Sequence, residues 1–99
     1  GQAQFVALFD RDVATLRVQQ AAGTPAPQRA QELWLIIGDN APVSLGLLSA
    51  DGTTVISVDD TLGAALDQAV LAVSDEPPGG SPTGAPTGDI LAAGPIFSL

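Results

Sequence analysis

Apolar and polar residues alternate along most of the chain, in short runs separated by turn-forming residues. In the run VATLRVQ at residues 13–19, Leu16 and Val18 fall on one face and polar side chains fall on the other. A period of two residues is typical of half-buried strands. The pattern therefore predicts strands rather than long helices.

The predicted strands are short apolar runs bounded by Gly, Pro, Asn or Asp. The run ELWLII at residues 32–37 is the most apolar and predicts a central strand, and Gly46 inside a later run predicts a bulge or a close contact. Residues 21–30, with Pro25 and Pro27, predict a loop. The strands cover residues 4–9, 13–19, 32–37, 43–48, 54–58 and 70–74, and then 89–93 and 96–99 as one kinked strand or two short ones.

Local signals predict one hairpin and one short helix. Asp51-Gly52 suits the positive φ of a tight turn and predicts a hairpin between its flanking strands. Asp59 and Asp60 predict the start of a helix that buries Leu62 and Leu66 and lasts one or two turns. Six to eight short strands with one helix at the end of the core predict an all-β fold, a small antiparallel β-sandwich over residues 1–99. An open β-barrel is the alternative.

The charge balance limits the partners. Eleven acidic residues face three basic ones, Arg11, Arg17 and Arg29, and the net charge is −8. Nucleic acids and anionic membrane surfaces are therefore predicted not to bind. No segment is long and apolar enough to span a bilayer, and no signal-peptide pattern occurs at the start.

The chain contains no Cys, His, Lys, Tyr or Met. A serine nucleophile would have no base to activate it, and zinc would lack its usual ligands. No calcium-loop pattern occurs. The adjacent acids Asp59-Asp60 and Asp75-Glu76 leave glycoside hydrolysis conceivable, but caps and turns account for them more simply. We predict no catalytic residues, no cofactor and no metal site.

A proline- and glycine-rich stretch covers residues 76–88 and repeats the pattern x-Pro-Thr-Gly. Two turns in tandem predict a compact, stiff loop. It can serve as a rigid crossover between two sheets, as a recognition or cleavage surface, or as a lid over an apolar pocket. Glu76 is predicted to accept backbone N–H bonds from this loop, and Trp34 to pack in the core or beneath the loop.

Three segments, residues 32–36, 42–48 and 71–88, resemble in their order and spacing the C-terminal domain of anti-sigma-K factors of the RskA type. The resemblance runs from about Ala14 to the end of the chain. The family usually has Leu where Asp75 stands. The residues that match the family's motifs, for which we expect structural or interaction roles, are Leu33, Trp34, Ser44, Leu45, Gly46, Glu76, Pro77, Gly79, Gly80, Ser81, Pro82, Thr83, Gly84, Pro86, Thr87 and Gly88.

The resemblance implies an extracytoplasmic regulatory domain that follows one transmembrane helix and a small cytoplasmic domain, both preceding Gly1. In that family the cytoplasmic domain holds an extracytoplasmic-function sigma factor inactive. Proteolysis by an envelope site protease, and then within the membrane, releases it. An uncovered edge strand could also support a homodimer. A non-catalytic envelope- or carbohydrate-binding module is the second hypothesis, and an acidic hydrolase is the third.

Overall fold

The computed structural model describes residues 4–23 and 27–98, and Pro25 and Leu99 lie outside these ranges. The described chain forms eight strands and one helix. In chain order they are β1 (Gln4–Asp10), β2 (Thr15–Ala22), β3 (Ala30–Ile37), β4 (Val43–Leu47), β5 (Thr53–Ser57), α1 (Asp60–Leu66), β6 (Ala69–Glu76), β7 (Ile90–Gly94) and β8 (Phe97–Ser98).

The strands form two sheets of four. The first sheet has the order β5-β2-β1-β8, and the second has the order β4-β3-β6-β7. Every pair is antiparallel except β1 with β8, which is parallel. The predicted all-β sandwich with one short helix is confirmed, with one parallel pair that the sequence pattern did not indicate.

The core lies between the two sheets. The first sheet contributes Leu16 and Val18 to it, and the second contributes Leu33 and Val73. Because successive side chains of a strand point to opposite faces, every second residue of these strands enters the core. The alternation in the sequence therefore corresponds to the inner and outer faces of the sheets.

The strand β3 is central, as predicted, and pairs with β4 on one side and β6 on the other. Its residues 31–35 are all buried. Leu33 and Leu35 belong to the core between the sheets. Trp34 lies between them and so points to the outer face of the sheet, yet none of its surface is exposed. Another part of the chain must cover it there.

The irregularity predicted at Gly46 is present in β4. The register between β3 and β4 shifts where Leu33 and Trp34 face Gly46 and Ser44. Gly46 has a φ of 113°, a conformation that a residue with a side chain rarely adopts. This position requires glycine because the strand bulges there.

The hairpin predicted at Asp51-Gly52 is wrong. The turn itself forms, with Gly52 at a φ of 96°, but β4 pairs with β3 while β5 pairs with β2. The two strands therefore lie in different sheets. Turn residues determine only where the chain reverses. The neighbour of β5 is decided by burial, since Ile56 packs against the core opposite Leu16.

The alternation predicted that the second strand begins at Val13, but it begins at Thr15. Residues 11–14 form the turn that follows β1. Ala14 adopts a left-handed φ of 52° in this turn, so the strand cannot start before it.

The short helix forms where the sequence predicted it. The side chain of Asp59 accepts a hydrogen bond from the backbone N–H of Leu62 at 2.8 Å and caps the N-terminus of α1. Leu66 is buried in the core. A Cβ on Gly63 would lie 3.5 Å from a methyl group of Val58, so the helix packs closely on the end of the sandwich.

The chain ends in two short strands, one of the two predicted alternatives, and they lie in different sheets. Pro95 stands between β7 and β8, where the chain passes from the second sheet to the first. Within residues 4–23 and 27–98, no helix has the length and apolar character needed to cross a membrane.

Candidate functional site

The proline-glycine loop, which we define as residues 77–89, joins β6 to β7. These strands are antiparallel neighbours in the second sheet. The predicted interpretation as a crossover between two sheets is therefore wrong, because the loop is a long hairpin connection. Its length allows it to fold back over the outer face of the sheet from which it comes.

The outer face of the second sheet carries the residues that alternate with the core residues. Trp34, Ser74 and Glu76 lie on this face, and none of them has exposed surface. The indole N–H of Trp34 donates a hydrogen bond to the hydroxyl of Ser74 at 2.8 Å. That hydroxyl donates to Glu76 at 2.5 Å. Trp34 is thus buried outside the main core, beneath the proline-glycine loop.

Glu76 ties this face to the far end of the loop. The backbone N–H of Thr87 donates to its two carboxylate oxygens at 3.1 and 3.3 Å, and the Thr87 hydroxyl donates to one of them. The backbone N–H of Gly88 adds a contact at 3.4 Å. The predicted backbone hydrogen bonds to Glu76 are therefore confirmed.

These contacts decide the charge of Glu76. Burial favours the neutral acid, but the hydrogen bonds from the Ser74 and Thr87 hydroxyls and from the backbone of Thr87 and Gly88 outweigh it. Together they lower the pKa of Glu76 to about 2. The side chain is consequently an anion at neutral pH, held by neutral donors and not by a neighbouring cation.

Glu32 holds the near end of the loop in the same way. One of its carboxylate oxygens accepts a hydrogen bond from the backbone N–H of Ser81 at 2.7 Å. The other accepts one from the hydroxyl of Ser44 on the edge strand β4 at 2.5 Å. The two buried glutamates therefore attach the loop to the sheet at two points.

The loop is also organised within itself. The backbone N–H of Gly80 donates to the carbonyl of Pro77 at 2.9 Å, and Gly79 has a φ of 89°. Proline followed by a glycine of positive φ is typical of a type II turn. Further along, the hydroxyl of Ser81 accepts from the backbone N–H of Thr83 at 3.2 Å, and the Thr83 hydroxyl accepts from that of Ala85 at 3.3 Å.

Two glycines let the loop lie directly on the sheet. A Cβ on Gly88 would stand 1.8 Å from the carbonyl oxygen of Asp75, and one on Gly80 would stand 2.9 Å from a carboxylate oxygen of Glu32. No side chain fits at Gly88 because the backbone of β6 occupies its place. Asp75 itself forms an ion pair with Arg29 at 3.1 Å.

The structure brings together only part of the predicted residue set. Trp34 and Glu76 belong to the buried hydrogen bonds through Ser74, with Thr87 and Gly88 of the loop bound to Glu76. Ser44 and the loop residue Ser81 belong to a second group around Glu32. Leu33 lies on the opposite face, in the core, and half-buried Leu45 packs against it. The exposed or half-exposed loop residues of the predicted set without a hydrogen bond to either glutamate are Pro77, Gly79, Gly80, Pro82, Thr83, Gly84 and Pro86.

Glu32 and Ser74 are functional candidates that the sequence reasoning missed. Glu32 stands two residues before Trp34, so a strand places both on one face. Ser74 faces Glu32 across the ladder between β3 and β6. Glu32 could have been found from the sequence, because it lies two residues before the only Trp and therefore on the same face of the strand. Ser74 could not, because its position beside Glu32 depends on the register between β3 and β6.

The observed role of this cluster is to attach the loop to the sheet. The oxygens of both glutamates already accept hydrogen bonds from the protein. Asp75 and Glu76 point to opposite faces, one towards Arg29 and the other beneath the loop. In the part of the chain that the structure describes, no three acidic, His or Cys residues come close enough to hold a metal ion.

The chain matches the family described as "Anti-sigma-K factor rskA, C-terminal" over residues 1–90. It belongs to this family of anti-sigma-factor domains. The match covers most of the sandwich and the whole proline-glycine loop. It begins earlier than the resemblance seen from about Ala14, and it ends at residue 90, whereas the resemblance was expected to reach the end of the chain. No curated protein and no solved structure matches the chain.

Membership of the anti-sigma-K factor family connects the domain to a regulatory class of proteins whose members act on sigma factors. The three segments that carried the resemblance lie together. Residues 32–36 on β3 are joined to residues 42–48 by the bond between Glu32 and Ser44, and to residues 71–88 by the bonds from Trp34 to Ser74 and from Ser81 to Glu32. The family's characteristic segments therefore build one structural unit.

Proposed function

We propose that this domain is the extracytoplasmic regulatory part of a membrane-anchored anti-sigma factor. It is non-catalytic, lies on the outer side of the cytoplasmic membrane and is tethered by an upstream transmembrane helix. Contact with the sigma factor is made by a separate cytoplasmic domain. Family membership supports the regulatory role, and the lack of His, Cys, Lys and Tyr supports the absence of catalysis.

The mechanism is shielding by the folded state. A protease binds its substrate in an extended conformation, which this domain withholds while it is folded. The observation that carries this proposal is the attachment of the proline-glycine loop by Glu76 and Glu32, because an exposed loop is otherwise a preferred site of cleavage. Loss of the attachment allows an envelope protease to make the first cut and starts release of the sigma factor.

Limited proteolysis with mass mapping tests shielding. We compare the wild-type domain, a synthetic peptide of residues 72–93, and the variant Glu76→Gln under subtilisin at pH 7. Cleavage within residues 77–89 is expected to be slow in the wild type and fast in the peptide, with Glu76→Gln in between. Asp89→Asn removes the same charge at an exposed position and serves as the control. A wild-type loop cut as fast as the peptide excludes shielding.

The regulatory role is tested in cells with the full-length protein. Glu76→Gln is expected to raise transcription of a reporter read by the cognate sigma factor, and Asp89→Asn is expected to leave it unchanged. Equal reporter activity in wild type and Glu76→Gln, with confirmed loop cleavage in vitro, would show that cleavage of this loop does not control the sigma factor.

A further inference from the structure

A pocket of about 230 Å³, open to solvent on one side, lies between the two sheets, where the chain leaves β7 and enters β8. The side chains that line it are all apolar, and its polar surface comes from backbone groups. Phe5, Ala7 and Val18 form the wall from the first sheet, and Leu71 and Val73 form the wall from the second. The cavity lies between the sheets, whereas the proline-glycine loop covers the outer face of the second sheet.

Small residues of β7 leave this space open. Ala92 pairs with Val73 and Gly94 pairs with Leu71, and both partners are core residues. Directly opposed residues of an antiparallel pair share a face, so positions 92 and 94 point inward. A Cβ built on Gly94 would meet no atom within 4 Å, and its φ lies outside the left-handed region. Neither crowding nor backbone conformation explains a glycine here.

Interiors are normally packed with few voids larger than a water molecule. A dry apolar cavity of about 150 Å³ is enough to bind benzene in another protein. From the volume, the apolar lining and the glycine at its wall, we propose that this cavity binds a small uncharged apolar molecule, about the size of one ring or a short alkyl chain. The proposal goes beyond the regulatory function above and does not depend on it.

The absence of charge in the lining defines the ligand class. Burying an ion without a counter-charge costs far more than burying a hydrocarbon. The net charge of −8 further disfavours an anion. A neutral ligand is therefore expected to bind, and its carboxylate counterpart of similar size is not.

The test is a titration of the ¹⁵N-labelled chain with benzene, and separately with hexanoate, followed by ¹H–¹⁵N correlation spectra. Benzene is expected to cause saturable shifts confined to amides of the strands that line the pocket, β1, β2, β3, β6, β7 and β8, and hexanoate none. Non-saturable benzene shifts, or shifts away from these strands, would overturn the proposal. Equal binding of hexanoate would overturn the ligand class.

Substitutions at Gly94 locate the site. Gly94→Leu fills the cavity, while Gly94→Ala changes the backbone freedom in the same way and leaves most of the space. The leucine variant is expected to weaken benzene binding at least about tenfold relative to the alanine variant. If the Gly94→Leu variant does not fold, Gly94→Val is used as the larger variant. Unchanged benzene affinity in the folded larger variant would show that the ligand sits elsewhere.

Discussion

At the scale of single residues, Glu76 has the most unusual environment. A carboxylate with no exposed surface normally costs several kcal/mol, and here it lies beside donors and not beside a cation. Arg29 lies next to Ala30, which faces Glu76 across the sheet, but the Arg29 side chain pairs with Asp75. The charge of Glu76 is therefore stabilised by hydroxyl and backbone N–H groups of β6 and of the loop. The loop donors reach Glu76 only when the loop is folded against the sheet.

Glu76→Gln should destabilise the domain by about 1–3 kcal/mol at pH 7, since an amide removes the charge and one acceptor oxygen from buried donors. The folded pKa of about 2 lies below the ordinary value of 4.5. The stabilisation by Glu76 is thus present above pH 4.5 and is lost as the pH falls through about 2. Urea unfolding of wild type and variant from pH 2 to 7 measures the difference.

In that series the stability gap between wild type and Glu76→Gln should narrow only below pH 4.5. Asp89→Asn, at an exposed position, is expected to change stability by less than about 0.5 kcal/mol. A gap that stays constant down to pH 2 would contradict the charged state of Glu76 in the fold.

Gly88→Ala should be among the most destabilising substitutions in the chain, because the added methyl group would overlap the carbonyl oxygen of Asp75. We expect a loss of about 2–4 kcal/mol, measured by urea unfolding. Gly94→Ala is the matched control, since its Cβ meets nothing within 4 Å, and it should be neutral or slightly stabilising. Similar losses for both variants would contradict the close packing of the loop on β6.

At the scale of elements, short-range side-chain hydrogen bonds replace regular structure where the chain changes direction. The loop uses hydroxyls of Ser81 and Thr83 for this purpose, and α1 uses the carboxylate of Asp59. A helix of seven residues is too short to be stable alone. The helix is stabilised by the Asp59 cap at its N-terminus and by the burial of Leu66 at its C-terminus.

Asp59→Ala is expected to cost about 1 kcal/mol by removing the cap of α1. Asp59→Asn keeps an accepting oxygen and should lower stability by only a few tenths of a kcal/mol. Asp60→Ala changes an exposed residue of the first turn and tests the effect of charge alone. Thermal unfolding monitored by circular dichroism compares the three variants. An equal loss in Asp59→Asn and Asp59→Ala would assign the effect to charge and not to the cap.

At the scale of the whole molecule, the charge is poorly balanced. Two ion pairs occur in the described ranges: Arg11 with Asp67, about half exposed, and Arg29 with Asp75, about one third exposed. Exposed pairs contribute little to stability. The net charge of −8 therefore acts mainly through repulsion among carboxylates in the compact state.

Adding NaCl from about 10 to 300 mM should therefore raise the urea midpoint, because salt screens this repulsion more than it weakens two exposed pairs. A charge-reducing pair of substitutions at exposed sites, Asp39→Asn with Asp89→Asn, should reduce the salt effect. A midpoint that falls with added salt would show that the ion pairs outweigh the repulsion.

The sequence by itself determined the class of fold and most of its elements. Alternation predicted the strands and Asp59 predicted the helix start, because these signals act over a few residues. Glu76 was assigned its backbone hydrogen bonds because the loop that supplies them follows it directly in the chain. The composition, with no His, Cys, Lys or Tyr, restricted the chemistry whatever the fold, because side chains that are absent cannot act as bases, nucleophiles or zinc ligands.

Only the tertiary structure decided which strands are neighbours and what covers the outer face. Asp51-Gly52 reverses the chain but does not choose a partner for β5, and the sequence left open whether Trp34 packs in the core or beneath the proline-glycine loop. Glu32 and Ser74 became site residues only when the register of β3 with β6 placed them together beneath the loop. Such contacts join residues about forty positions apart, and their free energy comes from burial and shared donors that no local pattern contains.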